Sequence, residues 1–287
     1  MKTIALIGAN GMLASAVKRL LPDGYRIDAY DLPEFDLTDR EQVFALKEKA
    51  PQVIFNCAAY TNVDGCEESR ELAMQVNGEG PGLLAELALE IGSVLVHVST
   101  DFVFAGDKQQ PYLETDATGP LSVYGQSKLL GEEKVIASGL QRYFIVRTSW
   151  LYGFDGNNFV ETMIGRDTKR GEDEVLKVVA EQRGTPTLSD DLAQALFALL
   201  ETEAYGIYHF SNQGECSWHE FATEIIGQVG KAEQLAVKDI LQIPTEGYPL
   251  PATRPKYSVL SKEKIERATY IKIPTWQQSL KHYLAQR

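Results

Sequence analysis

Apolar residues along the chain alternate between two patterns. Short, nearly unbroken runs occur at 3–7 (TIALI), 25–30 (YRIDAY), 52–57 (QVIFNC), 93–99 (SVLVHVS) and 143–147 (YFIVR). Between them lie stretches with apolar positions at helical spacing: MLASAVKRLL from residue 12, then 39–49 with Asp39 at its start, 80–91 and 124–138. Unbroken runs bounded by turn residues suit strands buried on both faces. Strands that alternate with amphipathic helices over residues 1–149 predict an α/β fold: a doubly wound parallel sheet with helices on both faces and right-handed crossovers.

Beyond residue 150 the pattern is less regular. A helix is expected over 155–170 around Phe159, Met163 and Ile164. A strand is expected at 174–180 (EVLKVVA), then a helix over 189–200 with Ser189 as its N-cap. Proline and glycine become dense over 244–257, which reads as loop, and a last helix spans about 275–285. The chain thus divides into a main sheet domain, residues 1–149 with about 172–203, and a smaller mixed α/β part, about 150–171 with 204–287.

Composition narrows the classes. With 287 residues, 44% apolar and 24% charged, the chain has room for a substantial core. A net charge of −12 and no run of Lys and Arg argue against nucleic acid as a partner. An anionic ligand needs local donors, because the overall field repels it. Cys57, Cys66 and Cys216 are widely spaced, with no Cys-x-x-Cys pair, so neither a disulfide framework nor a metal site is expected. Reduced thiols point to a cytoplasmic protein. Gly8 and Gly11 interrupt the apolar N-terminus as a strand–turn–helix does, and no apolar stretch is long enough to span a membrane.

Gly8-Ala-Asn10-Gly11-Met12-Leu13-Ala14 follows the first strand and opens the first helix. Gly8 permits the tight turn, and Gly11 lets the backbone approach a pyrophosphate that meets the helix N-terminus. Ala14 takes the third glycine position. This context makes residues 1–149 a candidate dinucleotide-binding domain. Asp31, about 20 residues on at the end of the second strand, fits two roles. It can bond a ribose 2′-hydroxyl, or it can cap the turn before Leu32-Pro33. Asp36 and Leu37 are expected to flank the adenine. Arg40 is near enough in sequence to serve a 2′-phosphate, which leaves NADH and NADPH both open.

Tyr124-x-x-x-Lys128 sets a phenol and an ammonium one helical turn apart. A nearby cation favours the tyrosinate, so the phenol can exchange a proton with a carbonyl or an alcohol. A chain with 13 tyrosines yields roughly one such spacing by accident, so the pair alone says little. Ser99-Thr100-Asp101 directly follows an apolar strand, and parallel sheets bind ligands at the carboxyl ends of their strands. The Thr100 hydroxyl there either meets a carbonyl or caps the next turn. Trp150 fits stacking on a base or plain core packing. Arg254 fits a diphosphate or a surface position. His97 and His219 read as structural.

With these motifs in order, the chain resembles the extended short-chain dehydrogenase/reductases, and within them the dTDP-4-dehydrorhamnose reductases. The resemblance spans nearly the whole chain. It rests on GANGML (8–13), CAAYTNVDGCE (57–67), VSTDFVF (98–104), YGQSKLLGE (124–132), VRTSWLYG (146–153), GNNF (156–159), CSWHEFA (216–222) and ATRPKYSVL (252–260). It implies NADPH or NADH as cofactor and a dTDP-linked 4-keto-deoxysugar as substrate. Tyr124 would be the proton donor, Lys128 would lower its pKa and hold the nicotinamide ribose, and Thr100 would orient the keto oxygen. Gly11, Met12 and Leu13 would line the pyrophosphate. Ala59, Tyr60 and Thr61 would touch the cofactor, while Asp101 and Trp150 would face the sugar nucleotide. Phe102 departs from the usual Tyr, and Gly65 and Cys66 depart within the VDxxE stretch. Residues 11–21 hold no acid of the kind that some relatives use in a dimer-forming magnesium site, so a monomer or weak homodimer is expected. Two alternatives stand beside this: another nucleotide-sugar epimerase, dehydratase or reductase of the superfamily, or a non-catalytic cofactor-binding subunit. Phe102 after Asp101, in place of Glu, counts against a dehydratase. The intact Tyr-Lys pair counts against a non-catalytic role.

Overall fold

The computed structural model describes residues 1–168, 175–233 and 240–287. The first half runs β1 (Lys2–Ile7), α1 (Met12–Arg19), β2 (Tyr25–Tyr30), α2 (Arg40–Ala45), β3 (Val53–Asn56), α3 (Val63–Glu68), α4 (Arg70–Ala73), a π-helical turn (Met74–Glu79), α5 (Gly80–Ile91), β4 (Val94–Thr100), α6 (Val123–Ala137) and β5 (Tyr143–Thr148). It continues through β6 (Leu151–Tyr152), α7 (Phe159–Thr168), β7 (Leu176–Val179), β8 (Arg183–Gly184), β9 (Thr187–Leu188), α8 (Ser189–Leu200), β10 (Gly206–His209), β11 (Cys216–Ser217), α9 (Trp218–Glu233), β12 (Ile240–Ile243), α10 (Glu263–Thr269) and α11 (Trp276–Gln286). Expectations touching 169–174 lie outside the described residues.

The main sheet has six strands in the order β10-β5-β4-β3-β1-β2, every pair parallel. Successive residues of a strand face opposite sides, which explains the unbroken apolar runs. Ile4, Leu6, Phe55, Val96 and Val146 pack under α1 and α8, while Ala5, Ile7, Ile54, Leu95 and Ile145 pack under α5 and the end of α6. A second core joins Tyr152, Met163, Ile164, Val178, Phe221 and Leu280.

Three details differ from the pattern-based reading. The strand Gly206–His209, assigned there to the smaller part, pairs with β5 at the edge of the main sheet. Leu176, Val178 and Leu188, assigned to the main domain, pack in the second core. Ser189 is the first residue of α8 rather than its cap; Leu188 stands at the cap, and no side chain caps it. Local propensity marks where a helix begins but not the exact residue. No helix among the described residues is long and apolar enough to cross a membrane.

Gly8 shapes the turn after β1. Its φ is +76°, and a Cβ there would lie 2.5 Å from the Ala58 backbone nitrogen after β3. Left-handed backbone costs an L-residue about 1–2 kcal/mol before any clash. Gly8→Ala is expected to lose about 2 kcal/mol or more, read as a lower urea midpoint with unchanged slope.

Candidate active site

The carboxyl ends of β1, β3, β4 and β5 form one edge of the sheet, and the marked residues gather along it. Gly11 is the N-cap of α1 with extended backbone, no side-chain cap and no acid in the first turn. The first N–H groups of α1 therefore lack intrahelical partners and sit at the positive end of the helix dipole. This suits a pyrophosphate at Gly11, Met12 and Leu13. Asp31 serves the turn directly: Oδ2 accepts from Asn10 N at 2.7 Å and Oδ1 from Leu32 N at 2.8 Å. The capping role is thus realised. A carboxylate has about four acceptor directions, so a ribose hydroxyl still has room.

The residues expected beside the adenine, and Arg40 near them, already have partners or core positions. Asp36 spends Oδ1 on Thr38 N and Oγ1, at 2.8 and 2.7 Å. Leu37 is buried in the core under α5. Arg40 pairs with Glu86 at 2.8 Å and lies over the Phe44 ring.

Tyr124 stands in the first turn of α6, which Ser122 caps. Gly125 allows that turn to press against the chain after β4; a Cβ there would lie 2.3 Å from the Phe102 carbonyl oxygen. This approach sets the Tyr124 ring edge-on to Phe102 at 5.6 Å and brings the phenol to the Thr100 hydroxyl. The Thr100 oxygen also accepts from Phe102 N at 3.2 Å, so it caps the following turn as well. Burial pushes the Tyr124 phenol up, the Thr100 hydroxyl eases it down, and Asp101 and Cys66 push it up again. The phenol is therefore protonated at neutral pH, the form that a proton donor requires.

Lys128 lies one turn further along α6 and is 2% exposed. Its Nζ donates to the Val98 carbonyl at 2.7 Å. Burial pushes the amine down to about 8, opposed by Glu132 and Cys57. The resemblance implied an ammonium that lowers the phenol's pKa. The amine is instead turned to the strand carbonyl, and the phenol follows its burial.

Several site residues were not singled out in the sequence. Asn77, fully buried in the π-helical turn, accepts from Tyr60 N at 2.8 Å and donates to Tyr60 O and Ser127 Oγ, each at 3.0 Å. Ser127 Oγ donates to the Tyr124 carbonyl at 2.8 Å. The segment Ala59-Tyr60-Thr61 is thereby tied to the helix bearing Tyr124. A polar residue amid small ones in a helical stretch was the available signal, and π turns often mark functional sites. Thr148, opposite Thr100 in the sheet register, is buried, and its hydroxyl has no hydrogen-bond partner among the described residues.

The residues marked for substrate fare unequally. Trp150 has a φ of +45°, in the left-handed region. Its indole stacks on Trp218, with centroids 3.5 Å apart and planes 9° apart, and packs on Gly184. One face of the ring is already covered. The Arg254 fork is engaged too: two bonds of 2.7 Å reach both Asp64 oxygens, and a third of 2.6 Å reaches the Ala252 carbonyl. Asp64, at the start of α3, is held below the usual carboxylate range by this pairing. His219 bonds the Ile240 carbonyl at 2.9 Å, a structural contact. His97 is less satisfied than a core residue should be. Its Nδ1 lies 3.1 Å from Asn56 Nδ2, but Nε2 has no partner among the described residues.

Together the glycine turn, the strand-end threonine and the Tyr-Lys helix define a Rossmann-type enzyme of the short-chain dehydrogenase/reductase class. The chain belongs to the family described as the RmlD substrate binding domain, whose model matches residues 1–287. It is 40% identical to the dTDP-4-dehydrorhamnose reductase of Burkholderia thailandensis, with 95% of each chain covered. It is also 40% identical to the spore coat polysaccharide biosynthesis protein SpsK of Bacillus subtilis, covering 100% of this chain and 98% of that one. The crystal structure of dTDP-4-dehydrorhamnose reductase from Bacillus anthracis in complex with NADP matches with a TM-score of 0.94 at 38% identity, over 100% of both chains.

Asp101 yields a prediction about pH. It is 2% exposed, and burial pushes its carboxyl up to about 6, against hydrogen bonds from Ser258 and Thr100. A carboxyl raised in the folded state costs nothing below its ordinary value, and it opposes folding increasingly as pH rises from there through the folded value. The ordinary value is 3.8, so the cost of ionised Asp101 is at most about 3 kcal/mol. Asp101→Asn is expected to raise the melting temperature at pH 8 and to raise it by about half as much at pH 5. An equal gain at both pH values would contradict this assignment.

Proposed function

We propose that the chain reduces the C4 keto group of dTDP-4-dehydro-β-L-rhamnose with NADPH or NADH, giving dTDP-β-L-rhamnose. The observation that carries this reading is the meeting of Tyr124, Thr100 and Lys128 at one sheet edge, in line with the glycine turn. The cofactor, when bound, supplies hydride to the keto carbon. Tyr124 donates its proton to the developing alkoxide, and Thr100 bonds the same oxygen. Burial keeps the phenol protonated until that charge develops. Lys128, turned from the Val98 carbonyl toward the ribose, stabilises the tyrosinate left behind. Asn77 fixes the loop 59–61 against α6, so cofactor-lining backbone and proton donor keep one spacing. Asp101, Trp150 and Arg254 line the sugar-nucleotide side.

The test couples purified protein to the 4-keto sugar nucleotide and follows loss of NADPH or NADH absorbance. Tyr124→Phe should lower turnover by about 10²- to 10⁴-fold. Its NADPH dissociation constant should stay within about threefold of wild type, because the lost hydroxyl serves chemistry more than binding. Near-normal turnover in that variant removes Tyr124 from the mechanism.

A further inference from the structure

Below the Tyr-Lys helix lies a charged cluster that the reaction itself does not use. Glu132 follows Lys128 by four residues on α6 and is 1% exposed. Ser99 Oγ, on β4 next to Thr100, donates to Glu132 Oε1 at 2.5 Å. Arg147, on β5 next to Thr148, donates from Nε at 2.9 and 3.2 Å and from Nη2 at 2.6 Å. Arg147 also lies over the Phe104 ring. One carboxylate thus ties the buried side of α6 to the last turn of two strands.

Three titratable groups packed against this cluster carry no charge near neutral pH. Burial pushes the Cys57 thiol on β3 up to about 12 and His209 on β10 down to about 3, and it holds His97 on β4 well below its ordinary value. Glu114, half-buried and bonded to His209 N, also acts on Arg147, whereas the carboxylate that acts on Lys128 is Glu132.

We propose that Glu132 is a positioning residue: it seats α6 on the ends of β4 and β5 and supplies the buried counter-charge that keeps Lys128 an ammonium. Arg147 holds the carboxylate in place and takes part of its charge. The chemistry divides cleanly. Removing Glu132 leaves Lys128 without its buried counter-charge, which favours losing the proton that Lys128 can lose and Arg147 cannot. This rests on the reading that the Lys128 ammonium meets the nicotinamide ribose, but it needs no sugar substrate.

The test is the NADPH dissociation constant of the full chain, titrated from pH 6 to 9.5. Wild type should hold its affinity at low pH and lose it as Lys128 deprotonates, near pH 8. In Glu132→Gln the midpoint should fall by about one unit or more, which is about tenfold weaker binding in the affected range. Affinity at pH 6 should remain close to wild type. Arg147 left unpaired threatens folding, so Glu132→Gln/Arg147→Met replaces the pair with neutral groups. Its midpoint should also fall, by less. An unchanged midpoint in the folded double variant, or a loss equal at every pH, overturns the proposal. A chain that binds NADPH as expected but reduces no 4-keto sugar nucleotide refutes the proposed reaction and leaves this inference standing.

Discussion

A lysine withdrawn from water dominates the energetics of this molecule. An isolated buried ammonium costs several kcal/mol, and a protein keeps one only with close partners. Lys128 has the Val98 carbonyl at its tip and a carboxylate one turn along its own helix. That carboxylate needs filling in turn, and Arg147 and Ser99 fill it from neighbouring strands. The arrangement fixes where α6 can lie. Given that seat, Gly125 brings the first turn against Phe102, and the phenol of Tyr124 reaches Thr100. The seat of Tyr124 and the satisfaction of the charge below it thus share one helix.

The same edge carries several features that stability alone does not favour. Asp101 is buried as a carboxyl, the Thr148 hydroxyl has no partner among the described residues, and Trp150 sits in left-handed backbone. Each costs free energy, and such features concentrate at functional sites. The cores beneath them follow ordinary rules. The main sheet is apolar on both faces, and the smaller part packs its own cluster of aromatic and aliphatic side chains. The rigid layers support the strained edge.

This division decides what could be read from the sequence. β1 to β5 and α1, α2, α5 and α6 were legible because burial on both faces leaves unbroken apolar runs, and the period then changes to that of a helix, whereas the short α3 and α4 gave no such period. The glycine turn, Thr100, Tyr124 and Lys128 were legible because their chemistry depends on local spacing. Asn77, Glu132 and Arg147 were not singled out. Their importance comes from partners 15 to 50 residues away, as in the bonds from Asn77 to Ser127 and from Arg147 to Glu132. Two-residue strands such as β8, β9 and β11 carry no period at all. β10 was placed in the wrong part because its neighbour in the sheet, β5, lies some 60 residues earlier, as the pairing of His209 with Arg147 shows.

Charge at the cleft follows the same logic of partnership. With a net charge of −12, the molecule repels an anionic substrate at long range and must attract it locally. The first turn of α1 offers uncapped N–H groups and no acid. Arg254 offers a planar fork, but Asp64 fills it from the first turn of α3. Arg254 is therefore already paired. The carboxylate that fills its fork also accepts from Ala252 N, so Asp64 holds the proline-rich loop against α3 as well. The position of that loop and the orientation of this arginine follow from one anion.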